Sequence, residues 1–133
     1  MTREILFRGK RVDNGEWVEG FYACVLDTHY IITGRFDSLT NGIINSEAYK
    51  VDPSTVGQFA GLTDKNSTKI FEGDIVNYNG EPGYVGFDKE NAEFLIFFSK
   101  WTAGFDSIYC DRNAEVIGNV YDNPELLEVS ESD

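Results

Sequence analysis

The sequence predicts an all-β fold, and three observations support that prediction. Aromatic residues make up 14% of the 133 residues, and aromatic rings fit the pleated, half-buried surface of strands. Short apolar segments recur between turn residues, and no helical period is convincing before the C-terminus. Glycines interrupt several of these segments and so bend the predicted strands sharply. Short, bent strands joined by tight turns indicate a small SH3-like barrel, closed or half-closed, as the core.

Residues 1–50 form the predicted N-terminal β-hairpin region. DNG (13–15) is a strong hairpin signal, because Asn and Gly accept the positive φ that tight hairpin turns require. A second hairpin is predicted around the turn residues DTH (27–29). Residues 36–46 are typical of a loop or hairpin with NG (41–42) at its tip.

Residues 56–127 form the predicted barrel-like core, and a single compact domain is expected to span residues 1–127. Between the two regions, VDPSTV (51–56) predicts a single helical turn. Asp52 is its expected N-cap and Pro53 its first residue, because the fixed φ of proline suits that position.

Within the core, KIFEGDIVNYNG (69–80) predicts a strand entered through a turn, since Gly73 breaks the apolar run. The elements predicted after it are a turn at EPG (81–83), a strand starting with YVGF (84–87), a turn at DKEN (88–91) and a longer, mostly buried strand at EFLIFFSKW (93–101).

The C-terminal segment combines a strand, a helical turn and an acidic tail. EVIGNVYD (115–122) predicts the last strand, with Gly118 placed where a bulge is expected. NPELLE (123–128) predicts a short helical turn with Asn123 as its N-cap. Residues 128–133 are the predicted tail.

The chain carries a net charge of −12. This charge opposes the commonest form of nucleic-acid binding, because basic side chains normally neutralise the phosphates. The charge is uneven, since residues 1–11 are basic and the residues from Asp111 onward are strongly acidic. The simplest interpretation is that the acidic surface keeps the protein soluble. An alternative is an acidic face that meets a basic protein through steering and charge complementarity.

No segment is typical of membrane insertion or export. The uninterrupted apolar runs, such as Phe94 to Phe98, are only a few residues long, whereas a helix needs roughly 20 apolar residues to cross a bilayer. The first residues, MTREILFRGKR, lack the apolar stretch and the small-residue cleavage site of a signal peptide. We therefore expect a cytoplasmic protein with no membrane partner.

Cysteine and histidine are too few for most metal or catalytic sites. Cys24 and Cys110 are far apart in the sequence, whereas a zinc site takes about four such ligands. In a cytosolic chain each is expected to be a small core side chain, with a structural disulfide as the less favoured alternative. His29, the single histidine, is expected to be solvated in a turn. Histidine-centred catalysis is therefore open only if His29 itself is the base.

FAGLTDKNSTKIFEGDIV (59–76) holds the densest group of turn residues and charges. An EF-hand loop starting at Asp64 would need glycine in its sixth place and glutamate in its twelfth, where this chain has lysine and isoleucine. A looser cation site formed by Asp64, Glu72 and Asp74 is an alternative. Glu72 and Asp74 are also spaced to share a strand face as a carboxylate pair.

A structural role explains the same stretch more simply. Residues 63–68 are predicted to form a polar hairpin loop in which Asp64 and Asn66 hydrogen-bond the local backbone. Asn66 also tolerates the left-handed conformation. We predict no catalytic, cofactor-binding or metal-binding residue in the chain.

Three stretches resemble the YopX family of bacteriophage and prophage proteins, namely VGQFAGLTDKNSTKIFEGDIV (56–76), YVGF (84–87) and EVIGNVYDNPELL (115–127). ILFRGKRVDNGEWVEG (5–20) is similar to the start of that family. At Ser67 the family usually has glycine, and this departure implies that Asn66 alone takes the left-handed conformation. The resemblance implies a small β-rich protein with an SH3-type barrel core, and it brings no known enzymatic activity, cofactor or catalytic residue.

The favoured hypothesis is a non-enzymatic phage or prophage accessory protein that binds a protein partner or self-associates, because open sheet edges allow strand addition. One alternative is an acidic mimic of nucleic acid that occupies a basic DNA-handling protein. The other is direct nucleic-acid binding by the SH3-like barrel, with aromatic rings stacked on bases. The candidate rings, for which packing within the fold is the favoured role, are Trp17, Tyr78, Tyr84 and Trp101.

Overall fold

The computed structural model describes residues 4–37, 39, 42–105 and 110–128. Its strands are β1 (Phe7–Lys10), β2 (Trp17–Val25), β3 (Thr28–Asp37), β4 (Gly42–Lys50), β5 (Gly57–Thr63), β6 (Lys69–Phe71), β7 (Asp74–Tyr78), β8 (Glu81–Asp88), β9 (Glu93–Phe97), β10 (Thr102–Gly104) and β11 (Ala114–Asn119). Short helical turns occur at Pro53–Thr55, Cys110–Asn113 and Pro124–Leu127. The all-β prediction is confirmed.

Antiparallel pairing joins the strands into two sheets. The first has the strand order β4-β3-β2-β1-β5-β6, and the second has the order β10-β9-β8-β7-β11. In the second sheet β10 and β11 lie at opposite edges, and among the described residues no strand pair joins those edges. The expected SH3-like barrel is therefore not confirmed, because a barrel requires a sheet that closes on itself.

The chain divides into two compact units, Met1–Phe59 and Ala60–Asp133, called unit 1 and unit 2 here. The sequence predicted that the hairpin region ends at residue 50 and that the core begins at residue 56. The boundary between the two units, after Phe59, lies close to these positions. That residues 1–127 act as one domain stays a prediction. The acidic tail lies outside the described residues from position 129 onward.

The first hairpin of unit 1 is confirmed. Strands β1 and β2 pair with Lys10 opposite Trp17. In the turn between them, Gly15 has a φ of 73°. The Asn14 side chain accepts a hydrogen bond from the Glu16 N–H at 2.9 Å. Gly15 therefore has the role that the sequence indicated, whereas Asn14 is not among the described residues with positive φ and acts through its side chain.

The second hairpin is confirmed, but its predicted turn is wrong. Val25 pairs with Thr28, so the turn consists of Leu26 and Asp27, whose φ values are 49° and 66°. Two central residues with positive φ make a type I′ turn, whose twist matches that of the flanking strands. His29 therefore lies in β3 and not in a turn.

The other two predicted turns of unit 1 agree with the structure. Asp37 pairs with Gly42, so residues 36–46 form a hairpin. Position 41, half of the predicted tip, lies outside the described residues. Asp52 caps the helical turn that follows, since its Oδ1 accepts a hydrogen bond from the Ser54 N–H at 3.0 Å. Pro53 is the first residue of that turn.

In unit 2, the predicted break at Gly73 is confirmed, but the turn at residues 81–83 is wrong. Gly73 has a φ of 92° and separates β6 from β7. The next turn is formed by Asn79 and Gly80, with φ values of 51° and 91°. Asn-Gly is a preferred pair for a type I′ turn, so Glu81 already begins β8.

The long strand predicted over residues 93–101 is too long, since β9 is followed by a turn and β10 begins only at Thr102. β9 ends at Phe97, and the Phe98 N–H donates to the Trp101 carbonyl at 2.8 Å across a turn. The polar pair Ser99 and Lys100 occupies this turn. A turn predicted at residues 88–91 is observed between β8 and β9.

The bulge at Gly118 is confirmed, but the capping role of Asn123 is not. The pairing of β11 with β7 shifts register between Val116 and Gly118. The predicted C-terminal helical turn is present, although Asn123 makes no side-chain cap bond. Its Oδ1 instead accepts from the Asn119 N–H at 3.2 Å, so it ties this turn to the end of β11.

Each unit has its own buried apolar residues. Ile31 and Val51 are buried in unit 1. In unit 2, Val85 pairs with Ile96, so both side chains point to the same face of the sheet. The buried cluster on that face contains Ile70, Val76, Val85, Ile96, Phe98, Ala103 and Ala114.

Candidate functional site

Strand β4 forms one edge of the first sheet. It is nine residues long and contains no proline. Ala48 of this strand is exposed and pairs with Ile32 on its inner side. Ile32 in turn pairs with Phe21 of β2, which is 52% exposed. The three apolar side chains therefore form a row across one face of the sheet, and this row ends at an open edge.

An aromatic cleft lies beside strands β8 and β9 of the second sheet, and Phe98 of the buried cluster also lines it. Tyr84 of β8 pairs with Phe97 of β9, and their rings stack with centroids 5.2 Å apart and an interplanar angle of 19°. Pro82 lies two residues before Tyr84 and so on the same face. Leu127, from the C-terminal helical turn, lines the cleft on another side. The cleft has a volume of about 150 Å³, similar to that of an apolar cavity that holds one benzene molecule.

One charged side chain lines the aromatic cleft. Glu81 lies at the start of β8, and its Oε1 accepts a hydrogen bond from the Trp101 indole N–H at 3.0 Å. Trp101 is itself stacked on Phe98, with ring centroids 4.3 Å apart. The position of the Glu81 carboxylate is thus held by an aromatic pair. No stretch of the sequence indicated this cleft, because its residues come from segments separated by up to 46 positions between Glu81 and Leu127.

The turn at Leu26-Asp27 brings the single histidine next to a cysteine. Cys24 pairs with His29 across the hairpin, and the Cys24 Sγ lies 3.9 Å from the His29 Nε2. The Tyr22 hydroxyl lies 2.5 Å from the His29 Nδ1. Cys24 is a free, exposed cysteine, so its predicted core position is wrong. The reason is that the turn is shorter than expected, which places residue 24 at the hairpin end.

The Cys24–His29 pair resembles the beginning of a nucleophile–base arrangement. The pair lies on the exposed end of a hairpin, and neither partner lines the aromatic cleft. The side chain of Cys110 lies outside the described part of the chain, so its predicted core position is not tested.

A basic strip, defined as Arg8, Lys10 and Arg11, lies along β1 and the residue after it. The Arg8 guanidinium is 4.7 Å from the centroid of the Trp17 ring, and the Lys10 Nζ is 5.8 Å from the same ring. Arg11 lies 4.4 Å over the Tyr49 ring. These cations cover aromatic faces that base stacking would need.

The four rings considered for nucleic-acid stacking do not belong to one unit. Trp17 lies in unit 1, and the other three lie in unit 2. Tyr78 packs on Phe98 and on the edge of Trp101, with centroid distances of 6.2 Å in both pairs. Tyr84 is stacked on another ring of the cleft. These contacts fit the packing role that was the favoured expectation for these rings.

Asp64, the first acid of the dense stretch, is a structural residue. It is 3% exposed. Its Oδ1 accepts from the N–H groups of Asn66 and Thr68 at 2.8 and 2.9 Å, and its Oδ2 accepts from the Val116 N–H at 2.8 Å. Burial alone would raise the pKa of Asp64, but the three N–H donors outweigh it and lower the pKa below its ordinary value. Asp64 thus joins its own turn to β11.

The left-handed residue of this turn is Ser67, not Asn66. Ser67 has a φ of 65°, whereas Asn66 is not among the described residues with positive φ. The prediction for Asn66 is therefore wrong. The Ser67 N–H donates to the Asp64 carbonyl at 3.0 Å and the Asp64 N–H donates to the Thr68 carbonyl at 2.9 Å, a pattern in which a left-handed residue follows a tight turn.

Glu72 and Asp74 do not form a carboxylate pair on one strand. β6 ends at Phe71 and β7 begins at Asp74, so the two acids belong to different elements. Asp74 is 1% exposed, and its Oδ2 accepts from the Phe71 N–H at 2.7 Å. Among the described residues there is no group of three or more His, Cys, Asp or Glu side chains placed to hold a metal ion. The looser cation site is therefore unsupported.

None of the described helical turns is long and apolar enough to cross a membrane.

Comparison with known proteins identifies relatives of this chain. It is similar in structure to protein EF1440 from Enterococcus faecalis, with a TM-score of 0.55 and 24% sequence identity over 96% of this chain and 100% of that one. At this identity the likeness concerns the fold alone. The search of curated proteins gave no match. The family described as YopX protein matches residues 6–128, which confirms the resemblance seen in the sequence. The chain therefore belongs to the YopX family.

Proposed function

We propose that this chain is a non-enzymatic accessory protein of a phage or prophage that acts by pairing the open edge of β4 with an extended strand. The first partner to consider is a second copy of the chain. The observation that carries the proposal is the exposed edge of β4 beside the apolar row formed by Phe21, Ile32 and Ala48. Strand addition supplies main-chain hydrogen bonds, and the side chains of the row supply apolar contacts.

The hydrogen-bond pattern shows which backbone groups of β4 are directed outward. The Val51 N–H donates to the His29 carbonyl at 2.9 Å, and Tyr30 pairs with Lys50. In an antiparallel ladder, this makes Tyr30 and Lys50 a non-hydrogen-bonded pair, so the backbone groups of Lys50 point away from β3. Accordingly, the Lys50 carbonyl accepts from the Val12 N–H at 3.0 Å.

Ala48 repeats this orientation, because it lies two residues before Lys50 and no register shift separates them. Its N–H and C=O therefore point away from β3, toward the edge that an incoming strand would use. Proline at position 48 would remove this outward N–H without removing a ladder bond to β3. Proline is tolerated on edge strands for that reason.

The test is the molar mass of the full chain at tens of micromolar, measured by size-exclusion chromatography with light scattering. We expect a dimer for the natural sequence and a monomer for Ala48→Pro. Ala48→Thr is the matched control, since it keeps the N–H and suits a strand, and it should remain dimeric. A monomeric natural chain would overturn self-association, and a dimeric Ala48→Pro variant would overturn the use of this edge.

A second candidate function is mimicry of nucleic acid. Unit 2 contains fifteen Asp and Glu against five Lys and Arg, a net charge of −10, whereas unit 1 has eight acids against six bases, a net charge of −2. Concentration of the acidic charge in one unit supports binding to a basic protein surface, because such a field steers and orients oppositely charged partners.

The mimicry hypothesis predicts capture of a basic DNA-handling protein by the tagged chain from bacterial lysate. Duplex DNA and moderate salt should both release that protein, because each competes for the same positive surface. Eluates that contain no such protein, or that resist both DNA and salt, would contradict the hypothesis.

Direct nucleic-acid binding is the third candidate, and the basic strip beside Trp17 is the feature that favours it. A gel shift of single-stranded and duplex DNA at low salt tests it, with Lys10→Gln as the variant. Loss of the shift in that variant would support the candidate, and the absence of a shift with the natural chain would exclude it.

A further inference from the structure

The aromatic cleft offers three kinds of surface to one ligand. The stacked pair Tyr84 and Phe97 presents ring edges and faces, and Tyr84 is 40% exposed. Pro82 and Leu127 are apolar. Glu81 adds a carboxylate of which one oxygen, Oε1, accepts from the Trp101 indole. A ligand that satisfies all three surfaces needs an apolar stem and a cationic head.

The charge around the cleft favours a cation. Unit 2 has a net charge of −10 from fifteen acids and five bases. Glu125 lies in the helical turn that contributes Leu127 and Glu128 follows that turn, and both are exposed. The exposed Lys100 lies in the turn after β9 and offsets only part of this charge. A mostly apolar cleft in an acidic surface concentrates positively charged ligands.

We propose that the aromatic cleft binds an arginine side chain presented by a basic segment of a partner protein. The guanidinium would lie against the Tyr84 ring and donate to the Glu81 carboxylate, and the aliphatic stem would lie along Pro82 and Leu127. A planar guanidinium stacks on aromatic rings and donates in a fork that matches a carboxylate, which the ammonium of lysine does less well. A volume of about 150 Å³ admits one such side chain and not a folded element.

This binding site lies in unit 2 and does not depend on strand pairing through β4 in unit 1. The two proposals can therefore fail separately. Measurements on the Ala48→Pro variant would test the cleft without dimer formation.

The test uses short peptides and the fluorescence of Trp101. The chain has two tryptophans, so Trp17→Phe leaves Trp101 as the single reporter. The probes are a glycine-flanked arginine peptide, the same peptide with lysine, and the same peptide with citrulline, which keeps the shape of arginine but has no charge. We expect the arginine peptide to shift Trp101 emission with a Kd of about 1 mM, as suits a single anchoring side chain.

The lysine peptide should bind more weakly than the arginine peptide. The citrulline peptide should bind about tenfold more weakly than the arginine peptide or not at all, since it lacks the positive charge that the Glu81 carboxylate and the Tyr84 ring attract. Equal affinity for arginine and citrulline peptides would overturn the proposal and would indicate an apolar site. The absence of any shift by the arginine peptide at tens of millimolar would also overturn it.

Two pairs of variants separate the contributions of the carboxylate and the ring. Glu81→Gln keeps an oxygen that accepts from the Trp101 indole but removes the charge, and it should weaken arginine binding about tenfold. Glu93→Gln removes the same charge from an exposed position at the other end of the strand pair, and it should leave the affinity within about twofold, because salt screens distant surface charges.

Tyr84→Leu removes the ring and keeps an apolar side chain, whereas Tyr84→Phe keeps the ring. The first should weaken arginine binding about fivefold and the second should not change it. These substitutions are at an exposed position, so they keep the proposal testable if Glu81→Gln fails to fold. Equal affinities of the two Tyr84 variants would overturn the assigned role of the ring.

Discussion

At the scale of single residues, Ser67 has a backbone conformation that its side chain disfavours. Its φ is 65°, and an L-residue in this region costs about 1–2 kcal/mol relative to the right-handed form. Glycine avoids that cost but loses more freedom on folding. We expect Ser67→Gly to raise the free energy of unfolding by about 0.5–1 kcal/mol, measured by urea denaturation. Ser67→Ala keeps the Cβ and should bring no gain; a similar gain in both variants would contradict this explanation.

Asp64 is the residue whose charge state we expect to matter most for stability at low pH. Its pKa is lowered because the three N–H donors outweigh the effect of burial. A folded-state pKa below the unfolded value of about 3.9 means that the stabilisation is complete above that pH and is lost as the pH falls through the folded-state pKa. The unfolding free energy of the natural chain should therefore decrease below about pH 4.

Asp64→Asn removes one acceptor from this set, since an amide has a single oxygen. We expect it to lower the free energy of unfolding at neutral pH by about 1–3 kcal/mol, the range for leaving buried groups unpaired. Its stability should also change less than that of the natural chain on acidification. Asp88→Asn is the control at a more exposed turn, where water replaces the lost acceptor. Parallel pH profiles for the natural chain and Asp64→Asn would contradict the assigned role of Asp64.

At the scale of elements, the turn between β2 and β3 has an unusual composition for its geometry. Leu26 and Asp27 both have positive φ, although type I′ turns strongly prefer Asn-Gly. Leu26 is 95% exposed, so its side chain contributes little packing within the described structure. The double variant Leu26→Asn with Asp27→Gly should raise the free energy of unfolding by about 1 kcal/mol, detected as a higher Tm.

The control for this turn is Leu26→Ala, which removes the exposed side chain but keeps the Cβ. It should leave Tm nearly unchanged. A lower Tm for the double variant would mean that the Leu26 side chain makes a contact that offsets its conformational cost. The hairpin end at Leu26 and Asp27 would then be a candidate interface.

At the scale of the whole molecule, the net charge of −12 predicts how stability responds to salt. Repulsion among like charges destabilises a compact state, and salt reduces that repulsion because the screening length falls to about 10 Å at 0.1 M. We expect Tm to rise as sodium chloride increases from a low concentration to a physiological one. Choline chloride should act similarly if screening is the cause, and a Tm that falls with both salts would contradict the expectation.

The parts of the fold that the sequence predicted correctly are those decided by adjacent residues. The DNG turn, the Asp52 cap and the Gly73 break each depend on a few consecutive residues whose φ preferences and side-chain oxygens act locally. Two of the wrong predictions, at Leu26-Asp27 and Ser67, concern residues that take a disfavoured φ. There the pairing of flanking strands and the bonds to Asp64 outweigh local preference.

The sequence by itself determined the all-β class, most turns and membership in the YopX family, because each is recorded in local patterns or in long matching stretches. Only the tertiary structure decided that the second sheet stays open, that Cys24 meets His29, and that Glu81, Tyr84, Phe97 and Leu127 enclose a cleft. These features depend on strand register, and a shift of one residue turns each side chain to the opposite face. Register is set by the packing of distant segments, which no short stretch of sequence specifies.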